Sequence, residues 1–350
     1  MKKAQSMNKN LIDTLMKYES VFICGPRFDD NHLRVYGYGG SLCGIPTTSK
    51  AKLALFNPEY VKYCKSDADK KRLITGFDIK PDKEGKNKYG EKKLTNEERY
   101  DKFLDTANVN AMLGMLETKF TKVKNGQDSD EGKERKQQTI IARNHMDFQK
   151  NGGVVICDFE SCIPKEMYAE GLPEAKKELE KYSIVDLKKK NPRTDLIAIK
   201  LHDNNQKAIL YMIEYKCNKN ACVNKTAGLR QHAKDMIVCE KIGDSYKKEI
   251  LRRFRLMCKE EFCLVQNQPE NLDEILKKLE ENPSNIELKK CFLFTEGLEL
   301  TRKTVTEICR SKKCIPELEM REKFCYLFQE EAAQINLSEM KSWADFEISL

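Results

Sequence analysis

The sequence predicts an α/β fold in which a mixed central sheet is flanked by helices and preceded by an N-terminal accessory region. Three observations carry that expectation. Apolar runs of strand length recur at residues 152–157, 196–199, 208–213, 291–294 and 324–328, and their β-branched and aromatic content suits a pleated, buried surface. Between and around them, at 226–237, 246–261, 272–281 and 301–310, apolar residues return every three or four positions, the spacing of one helix face. Finally, 350 residues of which 40% are hydrophobic, with a mean hydropathy of −0.66, suffice for one large core or two smaller ones inside a polar globular protein.

Taken in order, residues 11–16 form a short amphipathic helix, and 20–24 and 33–38 read as strands. Gly37, Gly39 and Gly40 come next. No Gly-Lys-Ser/Thr follows them, so they mark a tight turn rather than a phosphate cradle. Residues 79–101 and 124–136 are polar, of mixed charge and poor in apolar anchors, and both are expected as exposed loops. A helix is expected around 108–118, and 137–142 as the first strand of the core. The run 152–157 then leads as a buried strand into Asp158-Phe159-Glu160, an acidic cluster at a strand end. The boundaries that follow are 1–105 for the accessory region with its linker, 106–300 for the core, and 301–350 for a C-terminal extension packing on it. In that extension, the single Trp343 is expected as a docking contact.

The chemistry concentrates in one hairpin. Asp195 opens the run 196–199, a polar turn follows at 203–206, and the run 208–213 leads into Glu214-Tyr215-Lys216. A hairpin brings the head of its first strand beside the tail of its second. Side chains alternate faces along a strand, so Glu214 and Lys216 point the same way, and two carboxylates meet a lysine at one end. Mg²⁺ or Mn²⁺ held by hard carboxylate oxygens neutralises a phosphodiester transition state and makes a nucleophile from water. An ammonium beside it orients the water or stabilises charge on the phosphate.

With the helical segment 226–237 directly behind it, this order of residues resembles the PD-(D/E)XK, or restriction-endonuclease-like, nuclease superfamily over residues 108–240, with an extension toward 300. The resemblance implies a core made of a helix, a three-stranded antiparallel unit, a helix with a polar active-site residue, and a further strand. It implies that Asp195 and Glu214 bind the metal, that Lys216 acts on water or phosphate, and that Gln231 positions one of these. His232 lies one position away and can approach the phosphate instead. Glu160 is the preferred first acidic ligand, with Asp158 and Glu117 competing for that role, and Thr194 stands where the family motif has proline. DNA is the implied substrate, with RNA not excluded. A nuclease with no recognisable helicase or helix-turn-helix segment is expected to be a bacterial anti-phage or anti-plasmid defence effector. A homo-oligomer or a defence-system partner subunit stays open, and the alternative is a catalytically inactive nucleic-acid-binding scaffold or a subunit of a defence or repair complex.

Charge fits that expectation. Between residues 186 and 234, eleven Lys or Arg face four Asp or Glu, whereas the whole chain carries only +8. Positive charge thus gathers around the hairpin, where a polyanion would be steered and held. Lys188, Lys189, Lys190, Arg193, Lys219, Lys225 and Arg230 are the expected nucleic-acid contacts. Arg252, Arg253 and Arg255 either contact phosphates or flank a packed apolar stripe. Fourteen cysteines include four pairs spaced Cys-X4-Cys, at 157/162, 217/222, 258/263 and 309/314. With only four histidines beside them they read as reduced, mostly buried thiols, a structural zinc or iron–sulfur site being the alternative. No apolar run approaches the roughly 20 residues of a membrane span. The basic N-terminus leads into an amphipathic stretch rather than a secretory core, so the expected location is cytoplasmic.

Overall fold

A computed structural model describes residues 2–26, 30–90, 94–121, 129–182, 193–202, 206–224, 228–297, 300–311, 314–315 and 318–348. The chain divides into two compact units, one of residues 1–140 with 259–264 and the other of 141–258 with 265–350. The division therefore falls well beyond the boundary expected at 105/106. No helix among the described residues is long and apolar enough to cross a membrane.

The first unit opens with α1 (Lys2–Leu15), which buries Leu11, Ile12 and Leu15 along one stripe. Strands β1 (Val21–Cys24), β2 (His32–Gly37) and β3 (Gly40–Pro46) make an antiparallel meander in that order. Tyr38 at φ 51° and Gly39 at φ 76° turn the β2–β3 hairpin, the left-handed pair that a two-residue connection requires. Helix α2 (Asp67–Gly76) is capped by the Ser66 side chain. A small hairpin of β4 (Ile79–Pro81) and β5 (Asn87–Tyr89) follows, then α3 (Asn96–Leu104) behind a capping box of Thr95 and Glu98. The stretch 79–101, expected as a loop, is thus partly folded: buried Ile79, Leu94 and Tyr100 anchor it, and the Tyr89 hydroxyl donates to the Phe56 carbonyl. Helices α4 (Thr106–Thr121) and α5 (Asp130–Asn144) follow, with residues 141–144 of α5 belonging to the second unit.

Residues 137–142 lie within α5 and are not the first core strand. Gln138, Thr139, Ile141 and Ala142 are the buried positions, one side of a helix, while Ile140 points outward at 40% exposure. The adjacent β-branched pair hid that helical period. Of the expected loop 124–136, residues 124–128 lie outside the described set and 130–136 form the start of α5.

The second unit is built on a five-stranded mixed sheet. Its strands are β6 (Val154–Cys162), β7 (Arg193–His202), β8 (Lys207–Lys216), β9 (Ile286–Thr295) and β10 (Cys325–Gln329), in the spatial order β10-β9-β8-β7-β6. β6, β7 and β8 pair antiparallel, whereas β9 runs parallel to β8 and β10 parallel to β9. Parallel neighbours need crossover connections. Between β8 and β9 these are α7 (Lys219–Val223), α8 (Leu229–Ile242), α9 (Asp244–Met257) and α10 (Leu272–Glu281); between β9 and β10 they are α11 (Arg302–Arg310) and α12 (Leu318–Arg321). Helix α6 (Lys165–Glu180) joins β6 toward β7, and α13 (Trp343–Ile348) ends the described chain.

Two points of packing fix the site. Gly171 on α6 lies so close to α8 that an added Cβ would stand 2.4 Å from the Val238 carbonyl, so glycine is what lets these helices touch. Buried Arg253 on α9 forms an ion pair with buried Asp158 on β6, tying that helix to the sheet edge. Each arginine of the cluster is engaged in ion pairs: Arg252 with Glu249, Arg253 with Asp158 and Glu249, and Arg255 with Asp273 and Glu280. Residues 301–350 are not an appendage laid on a finished core. They supply the edge strand β10, and Trp343 is buried against Tyr326 and Phe346 as a docking contact.

Candidate active site

The site forms because of strand register. In the β7–β8 pair Leu196 faces Ile213, so the next pair outward is Asp195 with Glu214, on one face of the sheet. Lys216 lies two residues beyond Glu214 and shares that face. Its ammonium is 2.5 Å from Glu214 Oε1 and 3.8 Å from Asp195 Oδ2, and it also donates to the Tyr215 carbonyl at 3.0 Å. Asp195 Oδ2 in turn accepts the Tyr215 backbone N–H at 2.9 Å, which fixes the carboxylate against the neighbouring strand. Two carboxylates, whose mutual repulsion would otherwise spread them, therefore converge on one cation.

Helix α8 covers this cluster. Gly228, its N-cap, lies flush against residues 222 and 224: a Cβ there would meet the Asn224 and Cys222 carbonyls at 2.3 and 2.5 Å. The expected helix 226–237 thus begins at Leu229 and runs on to Ile242, with Thr226 and Ala227 outside the described residues. One turn into it, His232 Nε2 stands 2.9 Å from Glu214 Oε1. Burial is the largest single influence on both groups and opposes their charges. It is outweighed: His232 and Lys216 together hold the Glu214 carboxyl below its ordinary range, and Glu214 holds the His232 imidazolium above its own. The site is a buried, charge-compensated cluster in which Glu214 is ionised.

Gln231 does not reach these groups by a direct bond. Its Nε2 donates to Asp235 Oδ1 at 3.0 Å, and the Tyr168 hydroxyl of α6 donates to the same oxygen at 3.1 Å. Burial, only partly offset by His232 and these two hydrogen bonds, pushes Asp235 up to about 6. The helix residue that contacts Glu214 is His232. Tyr168 was not anticipated, and no spacing in the sequence links it to α8.

The acidic alternatives separate cleanly. Asp158 accepts from the Phe159 N–H at 2.8 Å and is consumed by the buried pair with Arg253. Glu117 belongs to the first unit, where Lys65 and Lys136 engage it. Glu160 follows the bulge at Cys157 and, by continuation of the β6–β7 register, stands across from Asp195. Its backbone is left-handed at φ 51°, a strained conformation for a residue with a Cβ, and its carboxylate lies 3.8 Å from Arg193 Nη1. Among the described residues no three His, Cys, Asp or Glu side chains stand at metal-binding spacing, so Glu160 is not gathered into a cage with Asp195 and Glu214.

A divalent cation nevertheless suits the pair. Among the described residues, buried Glu214 Oε2 has no hydrogen-bond partner. Mg²⁺ is bound through one or two carboxylates, with water and substrate phosphate completing its shell, and needs no third protein ligand. Asp195 and Glu214 offer that donor set. Of the basic residues expected around them, Arg193 heads β7 with 67% of its side chain exposed, Lys219 opens α7 and Arg230 lies in the first turn of α8; Lys188, Lys189, Lys190 and Lys225 lie outside the described residues.

Compared with protein-family models, with curated proteins and with solved structures, the chain matches none.

Proposed function

We propose that the second unit is a Mg²⁺- or Mn²⁺-dependent nuclease of the PD-(D/E)XK type that hydrolyses phosphodiester bonds of DNA. The single observation that carries this reading is the convergence of Asp195, Glu214 and Lys216 at adjoining strand ends, with Glu214 Oε2 unsatisfied among the described residues. The order of elements supports it as well: an antiparallel β6–β7–β8 unit, a helix covering its acidic end, then β9 parallel to β8. A hard cation bound at this point supplies Lewis-acid activation of water and neutralisation of phosphate charge.

The protein's own residues do the rest. Asp195 and Glu214 would hold the cation through oxygens that Tyr215 N–H and His232 keep oriented. Lys216 shares their face and is placed to stabilise the negative charge that grows on the phosphate or to orient the attacking water. His232 holds Glu214 ionised, the state in which it can serve as a ligand. Asp235, gripped by Gln231 and Tyr168, keeps α8 seated so that His232 stays on its carboxylate.

A titration of Mn²⁺ into the purified protein, followed by calorimetry, tests this reading. The wild type is expected to bind Mn²⁺, Asp195→Ala and Glu214→Ala to lose about tenfold or more in affinity, and Lys216→Ala to keep it. A folded wild type that binds DNA but no divalent cation would favour the inactive scaffold instead.

A further inference from the structure

Cys325 opens β10 in direct parallel register with Cys291 on β9. Registered residues of neighbouring parallel strands project from the same face, and strands lie about 4.8 Å apart, inside the Cα window of about 4.4–6.8 Å that a disulfide spans. β10 is the end strand of the sheet, which leaves Cys325 partly exposed, whereas Cys291 is fully buried. Cys325 is thus the more accessible residue of the two.

We propose that Cys325 and Cys291 form a peroxide-reactive dithiol, with Cys325 the attacking sulfur and Cys291 the resolving one, which closes into a disulfide bonding β9 to the edge strand. In the first step the Cys325 thiolate attacks one oxygen of hydrogen peroxide and the O–O bond breaks. Cys325 becomes a sulfenic acid, and the departing hydroxide takes up a proton to leave as water. In the second step Cys291 sulfur attacks the sulfenyl sulfur; the S–S bond forms, the S–O bond breaks, and the hydroxyl leaves as water with the Cys291 proton. Two thiols thus lose two electrons and two protons, and one peroxide becomes two waters.

The surroundings suit these roles. The neighbouring Cys291 thiol, opposed by partial burial and aided by Lys289, lowers the Cys325 thiol below its ordinary value, which favours its thiolate. Burial pushes the Cys291 thiol up, keeping it neutral until a sulfenic acid stands beside it. Cys43, Cys157, Cys239, Cys258 and Cys309 are pushed up in the same way, which leaves them poor nucleophiles. The pair lies outside the candidate active site, and the inference does not rest on the nuclease reading.

The test is mass spectrometry of the full-length protein after treatment with a small excess of hydrogen peroxide, alkylation, and digestion without reductant. The expected product joins the Cys291 and Cys325 peptides, is lighter by two hydrogens than their sum, and separates on reduction. In Cys291→Ser the reaction should stop at a Cys325 sulfenic acid that dimedone traps, and in Cys325→Ser Cys291 should stay a thiol. The proposal is overturned if Cys325 of the wild type remains alkylatable after peroxide, or if it passes to sulfinic acid without joining Cys291. Oxidation of Cys291 at an undiminished rate in Cys325→Ser would equally overturn the assigned order.

Discussion

Asp235 shows how one buried side chain sets a pH dependence. Its folded pKa is raised from 3.8 to about 6, chiefly by burial, so between those values the folded state holds more proton than the unfolded chain. Stability therefore falls as pH rises through that window, and the full cost is present above it. Asp235→Asn removes the charge while leaving an oxygen for the Tyr168 hydroxyl to bond. The variant is expected to gain about 1–3 kcal/mol over wild type in urea unfolding at about pH 8 and to gain little at about pH 4. Equal gains at both pH values would contradict the assignment. Arg253 behaves in the opposite sense: Arg253→Ala strands Asp158 as an unpaired buried charge and should cost about 3–5 kcal/mol, with much of that recovered when Asp158→Ala is added. A double variant no more stable than the single one would show that the pair is not what Arg253 contributes.

At the scale of elements, the site depends on where α8 begins. Gly228→Ala places a Cβ against three backbone atoms of residues 222 and 224, none of which belongs to a flexible side chain. The helix start must shift, and His232, whose N–H bonds to the Gly228 carbonyl at 3.2 Å, shifts with it. The expected result is a loss of about 1–3 kcal/mol in unfolding free energy together with reduced Mn²⁺ affinity. Unchanged affinity in a destabilised variant would detach His232 from the metal site. The β7–β8 hairpin was legible in the sequence because its period of two and polar turn specify register, and register alone sets Asp195 beside Glu214 and Lys216. The neighbouring contacts were not. Arg253 meets Asp158 across 95 residues and Tyr168 meets Asp235 across 67, and no local pattern encodes either. In α5 a β-branched pair read as strand where the buried positions obey a helical period.

For the molecule as a whole, the mixed α/β architecture followed from alternating strand-length and helix-face patterns, but its division did not. Residues 106–140 group with the first unit, and 259–264 join that unit from far along the chain, an arrangement decided by tertiary contacts. The C-terminal segment likewise read as an extension because a single five-residue strand, β10, carries no signal of the sheet it joins. The central claim concerns the second unit, and Mg²⁺-dependent cleavage of supercoiled plasmid tests it most directly, with wild type, Asp195→Ala and Lys216→Ala compared at equal folded concentration. Cleavage by the wild type that stops in EDTA and falls by about 100-fold or more in both variants is the predicted result. A folded, Mg²⁺-supplied wild type that leaves plasmid and linear DNA intact, or a Lys216→Ala variant that cleaves at the wild-type rate, would contradict it.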